Sequence, residues 1–333
     1  MKPKLLVVEL WGLGDLAIAT PFLRAASEKF AVTLVAKPTW KDLQTRFWPG
    51  VNVVSFQAPW TAFKHKYRLH RWPWREVFRL GKKISRGQFE VGLSARWDPR
   101  DHILLALSRA KVRMGFPRVA SRVFLTSPLK RPDPEAHRFE SWCVLGRALE
   151  LKMPSREEIP VPAVHPDRQE ILVHTGAGQP VRVWPLDRYR SLITRLRQQG
   201  HRVQVACDPD QSGWWLQAGE RNLAVPGTVL DLLALVDRAA LFLGNDSGPG
   251  HLAALAGIPT LTLFGPQLPE WFAPLHPKAV WIEGKPCPYK PCSDYCQFPL
   301  PRCLVNVTEE EVWQRVQQFV GNCCQPNIVA VPP

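Results

Sequence analysis

The sequence has no run of apolar residues that approaches the ~20 needed to cross a membrane as a helix. The apolar stretch within MKPKLLVVEL is too short for a secretory signal peptide, and Trp11-Gly12 interrupts it. Acidic residues are scarce, with 29 Asp and Glu against 43 Lys and Arg, so the net charge is +14. These shortages predict a cytoplasmic protein with an anionic partner: nucleic acid, a phosphorylated ligand or a membrane surface.

The chain has 333 residues, which suits two domains, and its 45% hydrophobic content can fill their cores. An apolar run of strand length, Lys4–Leu10, opens an alternation of strands and helical stretches. The same alternation restarts at Ile171–Thr175, after a proline-rich stretch over residues 151–170 that reads as a linker. The sequence therefore predicts two α/β halves, each with a parallel sheet.

Four residues identify helix ends in the second half. Thr228 precedes the apolar helix TVLDLLALVDRA and is a plausible N-cap. Thr308 and Glu311 have the spacing of a capping box at the start of the last helix. Gly200 ends the helix that begins in LDRYRSL, because glycine readily adopts the backbone angles that stop a helix.

A glycine-rich loop, Asn245-Asp246-Ser247-Gly248-Pro249-Gly250-His251, follows the predicted strand ALFLG and leads into a helix. The free amides and positive dipole end of such a helix attract phosphate, which Ser247 can also bind. Asp246 would repel phosphate but suits sugar hydroxyls. The pattern indicates a nucleotide-sugar, although a tight turn with Asp246 or Ser247 as helix cap explains it equally well.

Two other loops follow predicted strands. WGLGD places Asp15 where a carboxylate can act as a general base, while the alternative role is a helix cap, which the local pattern favours. HTGAGQPVRVWP contains Arg182, which can pair with a diphosphate in bidentate fashion, and Trp184, which fits the core better. G-L-G-D lacks the third glycine of the dinucleotide fingerprint, which argues against a nicotinamide-dependent dehydrogenase.

Residues 60–86 combine nine Lys and Arg with one Glu, interleaved with aromatic residues. Such a stretch can bind phosphates and rest at a membrane interface, or it can be a solvated loop that covers the sheet. It can also hold single-stranded nucleic acid, but no nucleic-acid motif supports that reading, and we expect no nucleic-acid partner.

Four of the eight cysteines form a C-x4-C-x3-C-x6-C cluster. Four thiolates can hold a structural zinc in tetrahedral geometry, although the absence of a C-x2-C pair favours free thiols, and an iron–sulfur cluster is a weaker alternative. Disulfides are disfavoured in a reducing cytoplasm. The candidate metal ligands are Cys287, Cys292, Cys296 and Cys303.

Together, these loops resemble the heptosyltransferase family, the ADP-heptose:lipopolysaccharide glycosyltransferases. The matching stretches are GLGDLAIATPFLRA, HTGAGQPVRVWPLDRYRSL and LGNDSGPGHLAALAGIPTLTLFGP, followed by WFAP and CLVNVTEEEV. The resemblance implies a GT-B architecture, an α/β fold of two Rossmann-like domains whose parallel sheets face each other across a cleft. The implied domains are an acceptor-binding domain over 1–160, a nucleotide-sugar donor-binding domain over 161–322 and a tail over 323–333.

The family implies an inverting transfer of heptose from ADP-heptose to a lipopolysaccharide-core or related glycan, with no cofactor for catalysis. By position, Asp15 would be the general base. The implied donor-binding residues are Thr175, Gly176, Arg182, Asp246, Ser247, Gly248 and His251. The expected acceptor is an anionic, lipid-linked glycan, with candidate ligands Lys64, Lys66, Arg68, Arg71 and Arg75.

The sequence departs from the family pattern in three places that bear on the donor. Arg182 replaces a usual lysine, and Gly250 replaces a larger residue that is often Met. VACDPDQ, Val205–Gln211, lacks the glycine pair that the family often has after this strand. We expect a monomer, cytoplasmic or peripheral on the cytoplasmic face of the inner membrane. The alternative function is a catalytically silent protein that binds a nucleotide-sugar or serves as a scaffold on the same fold.

Overall fold

The computed structural model describes residues 2–62, 68–163 and 167–324 of the chain. It divides into two compact units, Met1–Ser155 and Arg156–Pro333. Each unit is treated separately below.

The described part of the first unit is a six-stranded parallel sheet with helices. Its strands are β1 (Lys4–Val8), β2 (Ala31–Ala36), β3 (Asn52–Ser55), β4 (Val91–Leu93), β5 (Val112–Gly115) and β6 (Ser127–Pro128). Its helices are α1 (Leu13–Lys29), α2 (Gln44–Phe47), α3 (Trp74–Ser85), α4 (Pro99–Leu107) and α5 (Phe139–Ala148). The predicted strand at Lys4–Leu10 is present but ends at Val8.

The described part of the second unit repeats this arrangement. Its strands are β7 (Glu170–His174), β8 (Arg202–Ala206), β9 (Leu223–Ala224), β10 (Ala239–Asn245), β11 (Thr260–Phe264) and β12 (Val280–Glu283). Its helices are α6 (Leu186–Gln198), α7 (Ser212–Gln217), α8 (Val229–Arg238), α9 (Gly248–Leu255), α10 (Pro269–Phe272), α11 (Arg302–Val305) and α12 (Glu309–Cys324).

The strand order of the two sheets is the same. It is β3-β2-β1-β4-β5-β6 in the first unit and, in mirror listing, β9-β8-β7-β10-β11-β12 in the second. This is the Rossmann order, in which the first and fourth strands are neighbours although their connections leave in opposite directions. Ligands of such sheets bind beyond the carboxyl ends of these two strands. Ligands are therefore expected at the loops after β1 and β4 in the first unit, and at the loops after β7 and β10 in the second.

The predicted helix ends are confirmed. Thr228 Oγ1 accepts a hydrogen bond from the Asp231 amide at 3.1 Å, and the Asp231 carboxylate accepts from the Thr228 amide at 2.9 Å. Thr308 and Glu311 make the same reciprocal pair at 3.2 and 2.8 Å. Gly200 follows α6 with a φ of +86°, a left-handed conformation that glycine adopts without strain. No helix within the described ranges is both long and apolar enough to cross a membrane.

Candidate active site

Asp15 lies in the first turn of α1, just beyond the carboxyl end of β1. Its Oδ2 accepts a hydrogen bond at 3.0 Å from the amide of Gly12, which is the N-cap residue of α1. Asp15 therefore stands at the third helical position and not at the N-cap that the local pattern suggested. Its Oδ1 accepts a hydrogen bond from Nη2 of Arg96, which comes from the loop after β4. The switch point of the first sheet thus joins a carboxylate and a guanidinium that are 81 residues apart.

Glu9 lies behind this ion pair and is almost fully buried. Its Oε1 accepts a hydrogen bond from the Trp11 amide at 3.1 Å, and its Oε2 lies 3.9 Å from Nε of Arg96. Burial raises the pKa of Glu9 to about 8, although Arg96 opposes the shift, and Asp15 adds to it. Burial therefore favours the neutral form of the Glu9 carboxyl in the folded protein, and the direct ion pair of Arg96 is with Asp15.

Strand β10 ends at a buried hydrogen-bonding centre, Asn245, from which the glycine-rich loop continues. Its Oδ1 accepts from the Trp184 amide at 3.0 Å and from the Tyr189 hydroxyl at 2.9 Å. Its Nδ2 donates to the carbonyl oxygens of Thr175 at 2.8 Å and Gly176 at 3.4 Å. Asn245 therefore ties the loop after β7 to the loop after β10. Trp184 is fully buried, as predicted.

The residues that follow Asn245 are the predicted donor ligands, and their side chains differ in solvent exposure. Asp246 is buried, and its amide donates to the Leu263 carbonyl at 2.9 Å, which anchors the loop on β11. Ser247 is half-buried and donates to the Asn245 carbonyl at 3.2 Å. Gly248 begins α9, and His251 in its first turns is buried. The amides at the start of α9 are the anion-binding feature that the sequence predicts.

Arg182 forms ion pairs with two carboxylates. Its Nη1 lies 3.2 Å from Oδ2 of Asp246, while Nε and Nη2 each donate to Asp294 at 2.7 Å. The structure thus brings Arg182 and Asp246 together, as a common donor site requires. It also adds Asp294, whose side chain is only 13% exposed and which lies in the cysteine-rich segment.

Thr175 and Gly176 support the loop from below. Thr175 is fully buried, and its hydroxyl donates to Gln211 Oε1 at 2.8 Å and accepts from Trp215 Nε1 at 3.1 Å. A Cβ on Gly176 would lie 2.3 Å from the carboxylate carbon of Asp208, so a larger residue there requires the Asp208 side chain to move. These residues shape the backbone around Asn245, and direct donor contact by the Thr175 side chain stays a prediction.

The basic and aromatic stretch is partly described. Lys64 and Lys66 lie outside the described residues, whereas Arg68, Arg71 and Arg75 are exposed. A series of aromatic rings runs beside them, with centroid spacings of 5.5, 5.4 and 6.3 Å along Trp60, Trp72, Trp74 and Phe78. Trp60 is buried in the core of the unit, while Phe78 is 72% exposed. The stretch is therefore an aromatic ridge that rises from the core to a basic surface.

The four clustered cysteines line one cavity in the second unit. Within the described ranges, no three His, Cys, Asp or Glu side chains are placed to hold a metal ion. Burial raises the pKa of the Cys292 and Cys303 thiols. A structural zinc held by these cysteines stays a prediction. The cavity is lined by residues that include Cys287, Cys292, Cys296 and Cys303.

Comparison with known proteins identifies the family of this chain. A family model described as glycosyltransferase family 9 (heptosyltransferase) matches residues 77–298. The chain belongs to this family. Among curated family 9 relatives, lipopolysaccharide heptosyltransferase 3 of Escherichia coli K12 is 31% identical over 104 residues. That match covers 28% of this chain and 30% of the relative, so the chain matches less than a third of the relative's length.

Solved structures share the fold of this family 9 chain. A glycosyl transferase family 9 structure from Veillonella parvula has a TM-score of 0.77 at 17% identity, covering 97% of this chain and 98% of that one. The E. coli heptosyltransferase WaaC with ADP has a TM-score of 0.74 at 14% identity, covering 95% and 99%. The predicted α/β fold with two Rossmann-like sheets is confirmed.

Four residues of the candidate site were not predicted as functional from the sequence: Glu9, Arg96, Asn245 and Asp294. Arg96 and Glu9 could have been found from the strand-order rule, because both follow or end strands that meet at the switch point. Asn245 stood in the loop quoted above, but its role depends on partners 56 and 61 residues away. Asp294 gave no signal in the sequence.

Proposed function

We propose that this protein is a glycosyltransferase that moves a heptose from ADP-heptose to a sugar of a lipopolysaccharide core or related glycan. The observation that carries the proposal is the membership of family 9 combined with a polar cluster at the switch point of each sheet. The names of two similar proteins support the proposed acceptor and donor. One is a lipopolysaccharide heptosyltransferase 3, and the other is a structure of WaaC with ADP-2-deoxy-2-fluoro heptose.

The donor would bind to the second unit at the loop after β10. The amides at the start of α9 and the hydroxyl of Ser247 suit the diphosphate, and the Asp246 carboxylate suits hydroxyls of the heptose. Arg182 would bind the diphosphate once it exchanges a carboxylate partner for phosphate oxygens. A guanidinium matches both ions with the same two-pronged geometry, so this exchange preserves its hydrogen bonds.

The acceptor would bind to the first unit with its reacting hydroxyl at Asp15. The acceptor oxygen attacks the anomeric carbon from the face opposite the diphosphate, so configuration inverts. Asp15 takes the hydroxyl proton as the new bond forms. The bond to the diphosphate oxygen breaks, and ADP leaves with the electron pair. Guanidinium and helix amides then stabilise the phosphate charge, the role that a metal ion fills in other transferases.

The aromatic ridge would hold the enzyme at the cytoplasmic face of an anionic membrane. Trp and Phe side chains partition into the interface, and the neighbouring Arg68, Arg71 and Arg75 attract acidic lipid headgroups. This placement suits a lipid-linked acceptor. We propose that the enzyme works there as a monomer, which sedimentation of the purified chain tests.

A catalytically silent nucleotide-sugar-binding protein is the second candidate. The observation that favours it is the pairing of Asp15 with Arg96 and of Arg182 with two carboxylates, since both reactive groups are already neutralised. A silent protein would bind ADP-heptose and leave it intact, whatever acceptor is supplied.

The decisive experiment is calorimetric titration with ADP, UDP, GDP and NAD in chelator, followed by a transfer assay with ADP-heptose and lipopolysaccharide core. Selective binding of ADP with heptose transfer supports the proposal, and its loss in Asp246→Ala but not in Asp187→Ala, an exposed aspartate at α6, assigns the donor site. Binding without transfer selects the silent protein. Preference for another nucleotide discards ADP-heptose, and binding of NAD alone overturns the reading.

A further inference from the structure

Arg96, the partner of the proposed base, lies in a loop whose backbone is held on both sides. Its amide donates a hydrogen bond to Oγ of Ser94 at 3.1 Å, and its carbonyl oxygen lies 3.2 Å from Nε2 of His102. Ser94 follows β4 and His102 belongs to α4, so two separate elements fix one residue of the loop. Both side chains are fully buried, and the mechanism proposed above uses neither of them.

The ring of His102 has a defined tautomer. A carbonyl oxygen can only accept a hydrogen bond, so Nε2 carries the ring hydrogen that is donated to Arg96. Nδ1 is then an acceptor, and the hydroxyl of Ser121 lies 3.0 Å from it. Burial lowers the pKa of His102, although the Arg96 carbonyl and the charge of Asp98 oppose the shift. Burial therefore favours the neutral ring, in which one nitrogen donates and the other accepts.

The hydroxyl of Ser94 is held in turn by Asp101, the neighbour of His102 in α4. Ser94 Oγ donates to Oδ2 of Asp101 at 3.3 Å, and Trp60 Nε1 donates to Oδ1 at 3.2 Å. Because its hydrogen is directed to Asp101, the Ser94 oxygen presents its lone pairs to the Arg96 amide. Asp101 is fully buried, and each of its two oxygens has a donor, as a buried carboxyl group requires.

These hydrogen bonds fix the position from which the Arg96 side chain reaches Asp15. Its guanidinium donates to Oδ1 of Asp15 and lies over Trp11, with 5.0 Å between the guanidinium carbon and the ring centroid. The other oxygen of Asp15 accepts from the Gly12 amide. Two hydrogen bonds thus orient Asp15, and one of them depends on where the loop holds Arg96. A reacting group displaced by about 1 Å can lose about 10²-fold in rate.

We propose that Ser94 and His102 are positioning residues, which hold the backbone of Arg96 so that its guanidinium orients Asp15 for proton transfer. Both side chains are buried, so they act through Arg96 and not on the sugar. This inference rests on the proposed function and adds to it the groups that support its base. Loss of either hydrogen bond to Arg96 should lower kcat, while donor binding at the second unit is unchanged.

Two matched pairs of variants test this role in the full chain. Ser94→Ala removes a buried hydroxyl that accepts from the Arg96 amide, and its control, Ser108→Ala, removes a buried hydroxyl that accepts from the Ala110 amide after α4. His102→Gln can place an amide nitrogen near the position of Nε2 and keep the bond to the Arg96 carbonyl. The side chain in His102→Asn is one carbon shorter and does not reach that oxygen.

Transfer from ADP-heptose to lipopolysaccharide core is measured at a temperature at which every variant is folded by circular dichroism. We expect kcat to fall about tenfold in Ser94→Ala and His102→Asn, and to stay near the wild-type value in Ser108→Ala and His102→Gln. KM for ADP-heptose should change in none of them. Equal kcat in Ser94→Ala and Ser108→Ala, or in His102→Asn and His102→Gln, would indicate a merely structural role and overturn the inference.

The tautomer of His102 provides a readout that does not depend on activity. In protein with isotope-labelled histidine rings, long-range proton–nitrogen NMR distinguishes a protonated Nε2 from a protonated Nδ1. The signal that is missing in His102→Gln belongs to His102. A protonated Nε2 supports the inference, whereas a protonated Nδ1 overturns it, because the ring then has no hydrogen to donate to Arg96.

Transfer by the wild type separates this inference from the proposed function. Transfer with equal kcat in all four variants overturns the positioning role alone and leaves the transferase in place. Selective binding of ADP without transfer by the wild type refutes the proposed function, and the positioning role falls with it, whatever the tautomer of His102.

Discussion

Arg182 and Asp294 form a two-pronged ion pair in which Nε and Nη2 each lie 2.7 Å from a carboxylate oxygen. Asp294 presents to Arg182 the same pair of oxygens that a phosphate group would present. Asp294 therefore occupies the partner position that the proposed mechanism assigns to the diphosphate. Arg182, the residue proposed to bind the donor, and Asp294, which pairs with it, lie 112 residues apart.

Replacing Asp294 with Asn should strengthen ADP binding. The amide removes a negative charge that competes with the diphosphate for Arg182, and we expect about a fivefold lower Kd by calorimetry. Asp187→Asn serves as the control, since that aspartate is exposed. Weaker ADP binding in Asp294→Asn would instead make Asp294 a residue that orients Arg182 for the donor.

Replacing Asp15 with Asn should abolish transfer without loss of ADP binding. The Asn side-chain oxygen still accepts the hydrogen bond of the Gly12 amide, so α1 keeps its cap, but it cannot take a proton. We expect kcat to fall by about 10²–10⁴-fold. Asp42→Asn, which alters an exposed aspartate of the same unit, should keep full activity. Turnover unchanged in Asp15→Asn would refute Asp15 as the base.

Glu9 should make stability depend on pH. Burial raises its pKa from 4.5 to about 8, so the folded state holds the proton more tightly than the unfolded chain does. The stability that this proton contributes is fully present below about pH 4.5 and is lost as the pH rises through about 8. In Glu9→Gln this loss should be absent, so its melting temperature should fall less than that of wild type between about pH 5 and pH 9.

The exposed Glu28, on α1 of the same unit, provides the control for that experiment. Glu28→Gln should melt in parallel with the wild type at every pH. Parallel curves for Glu9→Gln as well would show that the Glu9 carboxyl does not titrate differently in the folded state.

Asn245→Ala should destabilise the second unit. It leaves the Tyr189 hydroxyl and the Trp184 amide buried without their acceptor, which costs about 2–4 kcal/mol. The Thr175 carbonyl loses one donor but keeps its hydrogen bond from Gln211. Urea unfolding measures the change. Tyr189→Phe removes one of these bonds without leaving a buried donor, so it should cost only about 1 kcal/mol. Equal losses in the two variants would contradict the role of Asn245 as a shared centre.

The fold was predictable because its signals are local. The runs at Lys4–Leu10 and Ile171–Thr175 are apolar enough to be buried strands, and Thr228 caps its own helix. The four edge strands, β3, β6, β9 and β12, were not predicted from the sequence. In β12, Val280–Glu283, half-buried and exposed residues alternate, so no continuous apolar run identifies it.

The candidate site was less predictable because its key pairs are non-local. Asp15 and Arg182 were identified from their loops, but their partners Arg96 and Asp294 are 81 and 112 residues away. Only the strand order brings the loop after β4 beside β1. The guanidinium groups of Arg131 and Arg138 lie over the ring of Trp97. These three residues come from separate segments that no spacing rule connects.

The strand order of the first sheet separates the pair of Asp15 and Arg96 from the aromatic ridge. Asp15 and Arg96 are fixed by β1 and β4, which are adjacent in the centre, whereas the chain between β3 and β4 leaves from the sheet edge and carries the aromatic ridge. Replacing the exposed part of that excursion, beyond the buried Trp60, leaves the strands that carry the central pair in place. The first unit is therefore suited to engineering, in which the exposed surface is exchanged while the pair of Asp15 and Arg96 is retained.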